Sequence, residues 1–262
     1  MRDKYHINLL PYIDIIKYCK RYFKTNNKPT RGKPKVYEDY LILAIGIIMQ
    51  MYNYSFREVI VILERELKRR LPSLSTLHYR LSQLDNKLLE KIILKISKEI
   101  IKKKLIEKNT PSVTAILITD ATGFSYSNKF YANFKRGLEI RKIKSHIKTQ
   151  AIGICIPELN LRLPLSISNF EAYYDERKAL KEILNSELFG DLKSFLLENF
   201  SFESFENKIP LLGDAMYSNS NELIDLSFEN GLLPIFKIKK PLHNDIKSPQ
   251  RKKVKEIYDK YK

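Results

Sequence analysis

Two aspartates close apolar runs in matching surroundings. In "ILITDATGFSY" the β-branched stretch stops on Asp120, and in "KIPLLGDAMYSN" a second apolar stretch stops on Asp214. Small residues and then a tyrosine follow each of them, Tyr126 and Tyr217. A lone strand-end aspartate commonly begins a turn or a helix cap. Two of them come side by side if their strands are adjacent and parallel, and close carboxylates then stay ionised only with a cation between them. Hard oxygen ligands of this kind suit Mg²⁺ or Mn²⁺, which keep waters and bind substrate phosphates. Such ions can activate a water or a 3′-hydroxyl and stabilise the leaving oxygen of a phosphodiester. Asp120 and Asp214 are therefore the candidate catalytic pair and the candidate metal ligands.

Other chemistries find little support. There is no Gly-rich phosphate loop and no Ser-His-Asp arrangement, and His6, His78 and His243 have no ligand spacing. Cys19 and Cys155 lie too far apart to form a metal-type pair, which fits a reducing, cytoplasmic setting. No apolar run reaches the roughly 18 residues that span a bilayer. The N-terminal "MRDKYHINLLPY" lacks the apolar stretch of a secretory signal, so no membrane partner is expected.

Charge points to a polyanion. The net charge is +17, with +13 in residues 1–110, +6 in 129–148 and +7 in 237–262, while 149–236 is net acidic. Basic flanks around an acidic middle suggest a polyanion partner; the plain alternative is a lysine-loaded surface. Lys129, Lys135, Arg136, Arg141, Lys142, Lys144 and Lys148 are the main candidates for phosphate contact, with Tyr126, Phe130, Tyr131 and Phe134 interleaved for packing or base stacking. Tyr217 could touch a phosphate or a base, or pack beside its strand.

The elements that must position these groups follow from pattern. Residues 25–36, "TNNKPTRGKPKV", read as an exposed basic arm. A helix that is apolar nearly all round spans Glu38 to about Tyr52. A second begins at Ser55 with Glu58 in a capping box, and a short third begins at Ser75. The third carries Arg80, a further candidate DNA contact, in what is either a helix-turn-helix or a plain bundle with a polar face. An amphipathic helix over 86–108 ends at "NTPS", which sets the expected boundary between a helical domain, 1–110, and a second domain, 111–262. Beyond it the period changes. Strands are expected over 113–120, 148–158, 161–168, 208–215 and 232–240, with helices over 175–188 and 219–231. That order, β-β-β-α-β-α-β, is a mixed α/β sheet preceded by an all-α N-terminal domain.

At these residues the chain resembles the DDE transposases of bacterial and archaeal insertion sequences, with their ribonuclease H-like catalytic domain. The likeness is carried by "TDATGFSYSN", by the basic run "KRGLEIRKIKSHIKTQAIGICIPELNLRLPLSIS", and by "GDAMYSNSNELIDLSFENGLLPIFKIKK". It implies metal-dependent cleavage and strand transfer of insertion-sequence DNA. It also implies element ends and target DNA as partners, and a homodimer assembled on them. Asp120 would be the first metal-binding acid and Asp214 the second. The family's third acid is a glutamate on a helix after the last strand. Here 48 residues follow Asp214, and their glutamates are Glu222, Glu229 and Glu256. The first two fall before the final strand, and Glu256 has Lys252 where the family carries an arginine. The expectation is a C-terminally truncated chain whose third acid lies beyond residue 262, with Glu256 as the alternative and activity impaired in consequence. A non-enzymatic DNA-binding remnant and a metal-dependent nuclease on the same fold are the competing readings.

Overall fold

A computed structural model describes residues 12–22, 36–108, 113–125, 131–136, 139–144, 146–238 and 248–261. Most of the basic arm at 25–36, the "NTPS" break, Lys129, His6 and His243 lie outside the described residues. Two compact units divide the chain, Met1–Ile92 and Ile93–Lys262. The division falls inside a helix, α5 (Asn86–Lys108).

The first unit is helical: α1 (Tyr12–Tyr22), α2 (Asp39–Tyr52), α3 (Phe56–Leu67), α4 (Leu74–Ser82) and the start of α5. Leu41 to Ile45 and Ile48 bury α2 at the centre, as its all-round apolar sequence requires. Asn53, at φ 54°, ends it in the left-handed conformation that asparagine tolerates. The capping box of α3 forms as read: the Ser55 N–H donates to Glu58 Oε2 at 2.7 Å and the Glu58 N–H donates to Ser55 Oγ at 3.3 Å. The short helix α4 starts two residues earlier than expected. Its cap is Ser73, whose Oγ accepts from the Thr76 N–H at 3.3 Å, and Ser75 lies within the first turn.

In the second unit, five strands form one sheet: β1 (Ile116–Ser125), β4 (His146–Ile156), β5 (Leu161–Phe170), β6 (Ile209–Gly213) and β7 (Leu232–Phe236), in the order β5-β4-β1-β6-β7. The first three pair antiparallel, while β6 and β7 run parallel to β1. With α6 (Glu176–Leu184), α7 (Glu187–Asn199) and α8 (Asn221–Glu229) in the crossovers, this is a ribonuclease H-like mixed sheet. Leu117, Ile152, Ile154, Leu211 and Phe236 bury one face of it against Leu180, Leu192, Leu196 and Leu223. The last helix, α9 (Pro249–Tyr261), lays Ile257 on Leu233 and Ile235.

Three expectations need correction. The single helix over 175–188 is two, because Asn185 closes α6 and Ser186 caps α7, its Oγ accepting from the Phe189 N–H at 3.2 Å. The basic stretch between the first two expected strands contains a separate two-stranded ribbon, β2 (Tyr131–Arg136) with β3 (Glu139–Lys144). And β1 does not stop at Asp120: it pairs with β4 as far as Ser125. Nothing from Ala121 to Ser125 forbids a strand, and β4 offers a continuous partner.

Candidate functional site

The end of β1 is one-sided. Its parallel ladder with β6 holds only Leu117 to Leu211 and Ile118 to Leu212, while its antiparallel ladder with β4 continues. Asp120 therefore sits where β1 loses its β6 neighbour, and Asp214 is the first residue after β6. Continued by two residues, the register sets Asp214 level with Asp120. Side chains alternate across a strand, so both carboxylates share the face of Ile118 and Leu212. Neighbouring strands lie about 4.8 Å apart, which makes the two positions next neighbours. Both residues are exposed. Asp120 Oδ1 accepts from the Ala121 N–H at 2.8 Å, and Asp214 Oδ1 accepts from the Met216 N–H at 2.8 Å. Each Oδ2 is left without a hydrogen bond among the described residues.

Behind the pair the opposite face is polar as well, but closed. Gln150, fully buried on β4, donates from Nε2 to Thr119 Oγ1 at 2.8 Å and to the Tyr217 hydroxyl at 3.0 Å. The Thr119 hydroxyl in turn donates to the Ala151 carbonyl at 3.3 Å. Tyr217 is fully buried against Phe236, ring centroids 5.8 Å apart, so of its two sequence readings packing is the observed one. Burial pushes its hydroxyl up to about 12. This brace joins the residue before Asp120 to the turn after Asp214. Sequence reasoning passed over Thr119 and Gln150. Yet Gln150 shares its parity with Ile152 and Ile154, and a lone amide on a buried strand face signals a required partner.

The remaining predicted residues scatter. Lys148 pairs with Glu176 at 2.9 Å, both side chains more than four-fifths buried. Arg80 turns inward, donating to the Tyr37 carbonyl at 3.1 Å and pairing with Asp39 at the start of α2. Ser75, His78 and Tyr79 remain exposed on α4. Lys135 and Arg136 occupy β2, and Arg141, Lys142 and Lys144 occupy β3.

Of the three later glutamates, Glu222 pairs with Lys181, and Glu229 ends α8 exposed. Glu256 is exposed on α9, whose buried positions are Val254 and Ile257. That helix starts beside α8, with Ser248 Oγ 2.7 Å from Asn221 Oδ1, and finishes beside the start of β6, with Lys260 Nζ donating to Glu206 Oε1 at 2.8 Å. Glu256 thus lies about 9 Å along the axis from Gln250, away from the Asp214 end. Among the described residues no group of three or more His, Cys, Asp or Glu could hold a metal ion. No described helix is long and apolar enough to cross a membrane.

No family model matches the chain. It is 30% identical over 233 residues to an uncharacterized protein of Aquifex aeolicus (strain VF5), covering 87% of this chain and 64% of that protein. The chain therefore spans less than two thirds of that relative's length. Solved structures similar to it include the Mos1 mariner paired end complex with Mn, at 11% identity and TM-score 0.25 over 88% of this chain and 69% of that one. The Mos1 strand transfer complex is similar at 11% identity and TM-score 0.26, over 90% and 73%. At such TM-scores the likeness carries no argument about this chain.

Proposed function

We propose that this chain is a DDE-type transposase acting on double-stranded insertion-sequence DNA, with Asp120 and Asp214 holding Mg²⁺ or Mn²⁺. The observation that supports this best is the pair itself: two exposed carboxylates, level on one face of neighbouring parallel strands, each with an oxygen unengaged among the described residues. Two hard oxygen donors in that arrangement fit a divalent ion that keeps most of its waters. When bound, such an ion would supply a Lewis acid and an activated oxygen nucleophile for phosphodiester exchange.

What the chain's own residues contribute is position. The Ala121 and Met216 N–H groups orient one oxygen of each carboxylate, and the Gln150 brace fixes both backbones from behind. Lys135, Arg136, Arg141, Lys142 and Lys144 on the ribbon supply positive charge for the DNA backbone, as would Lys129. The helical domain, with the exposed polar side of α4, is the proposed reader of element ends. Arg80 and Lys148 act there by holding structure, since their partners are Asp39 and Glu176. Two copies assembled on DNA, in the cytoplasm, complete this reading.

A second reading is favoured by one observation: the described residues offer two acids at the site rather than three. On that reading the chain binds DNA without cutting it. Incubating it with duplex DNA in Mg²⁺ or Mn²⁺ separates the two. Metal-dependent strand cleavage that disappears in both Asp120→Asn and Asp214→Asn supports the first. Salt-dependent binding without cleavage supports the second, and absence of DNA binding removes both.

A further inference from the structure

We infer that Phe124 is a stacking platform for an unpaired base of the DNA that the carboxylate pair faces. This rests on the DNA reading above and extends it to the form of the substrate, a duplex with unpaired nucleotides beside the site. Phe124 lies four residues beyond Asp120 on β1, and side chains alternate along a strand, so the two share a face. The strand rise sets them about 14 Å apart. Phe124 is 59% exposed, although β1 is still paired at this point, with Phe124 opposite Ile147 on β4. An aromatic ring carried on a paired strand is held more firmly than one on a loop, which is what a stacking surface needs.

The opposite face of the strand is closed. A Cβ on Gly123 would come within 2.9 Å of the His146 ring, which itself packs edge-on against Tyr173 with centroids 5.4 Å apart. The open face between the carboxylate and the ring is neutral. Thr122 stands between Asp120 and Phe124, Ala151 and Thr149 lie opposite on β4, and Ile167 and Asn169 continue the same rungs on β5. The Thr149 hydroxyl donates to Asn169 Oδ1 at 2.7 Å, which ties two of these rungs together. None of these side chains is a cation, so this stretch offers phosphates little, whereas an aromatic face suits any base. Inside a duplex both faces of a base pair are already covered, and a protein ring can stack only where a base is unpaired or terminal. At 3.4 Å per stacked nucleotide, a base on Phe124 lies about four steps from the carboxylates.

The test compares binding of the full chain to a blunt duplex and to the same duplex carrying a single-stranded extension of about four nucleotides, 3′ or 5′. The extension contains 2-aminopurine, whose fluorescence falls on stacking, and Ca²⁺ replaces Mg²⁺. Wild type should bind one of the extended duplexes at least about fivefold more tightly than the blunt one and quench the probe. Phe124→Ala should lose both the preference and the quenching. Its affinity for the blunt duplex and its salt slope should stay those of wild type, because the ring carries no charge. Phe124→Trp should keep both the preference and the quenching. Thermal melting checks the fold, and if Phe124→Ala melts early, Phe124→Leu replaces it with the same expectation. A wild type without preference for either extension, or a preference that survives in the Ala and Leu variants, would overturn the inference while leaving the DNA reading intact. Failure of wild type to bind any of the duplexes would remove the DNA reading, and this inference with it.

Discussion

The two faces of the sheet at the β1–β6 junction are both polar, and they treat polarity in opposite ways. On one, Asp120 and Asp214 stand in solvent, each with an oxygen uncommitted among the described residues. On the other, Thr119, Gln150 and Tyr217 are almost wholly buried and bonded to one another. Desolvating a carboxylate pair would cost several kcal/mol per ion, whereas neutral groups can be buried once every donor finds an acceptor. The difference teaches how such a site can be open and still fixed: the neutral face supplies rigidity, so the charged face can keep its oxygens available.

That contrast breaks most easily from behind. Gln150→Leu leaves the Thr119 and Tyr217 hydroxyls without their amide partner in a closed space, and should destabilise the fold by about 2 kcal/mol in chemical denaturation. A loss within experimental error would mean the brace is dispensable. Tyr217→Phe keeps the Gln150–Thr119 bond and should lose about 1 kcal/mol. Combined with Gln150→Leu, it should add less than its single value, because the two changes remove one shared interaction.

The same tyrosine sharpens the comparison through pH. Its folded value, raised by burial to about 12 from the ordinary 10, favours the protonated form in the folded state. The stability so gained is complete below pH 10 and is lost as pH rises towards 12. Wild type should therefore lose stability over that window more steeply than Tyr217→Phe; parallel curves would contradict the closed environment. The smallest effect belongs to the front. Asp120→Asn and Asp214→Asn should each change stability by no more than about 0.5 kcal/mol, because exposed side chains with solvated oxygens support little of the fold. A large loss would show that the carboxylates are structural.

Much of this was legible in sequence wherever local signals and strand period agree. The α3 capping box, the β4–β5 hairpin and the stop of α8 before Gly231, at φ 73°, all follow from residue type at short range. The adjacent, parallel pairing of the two strands that lead to the aspartates came from the same strand-end pattern read twice. What escaped depends on partners distant in sequence. The Asp39 that holds Arg80 lies 41 positions away, and Gln150 reaches Tyr217 across 67. Asp120 reads as a strand end because β6 stops there, though β4 carries β1 onward; composition cannot reveal a strand that ends on one side only. The β2–β3 ribbon was hidden by its charge, since lysine-rich alternation resembles a solvated loop until a register pairs it.

The central claim, that Asp120 and Asp214 form one divalent-metal site, is tested most directly by Mn²⁺ titration of the full chain followed by water-proton relaxation. Wild type should show a saturable relaxation enhancement that Mg²⁺ competes away. Either Asp120→Asn or Asp214→Asn alone should weaken it at least tenfold, while the thermal melt stays unchanged. Enhancement that persists undiminished in both variants would contradict the account.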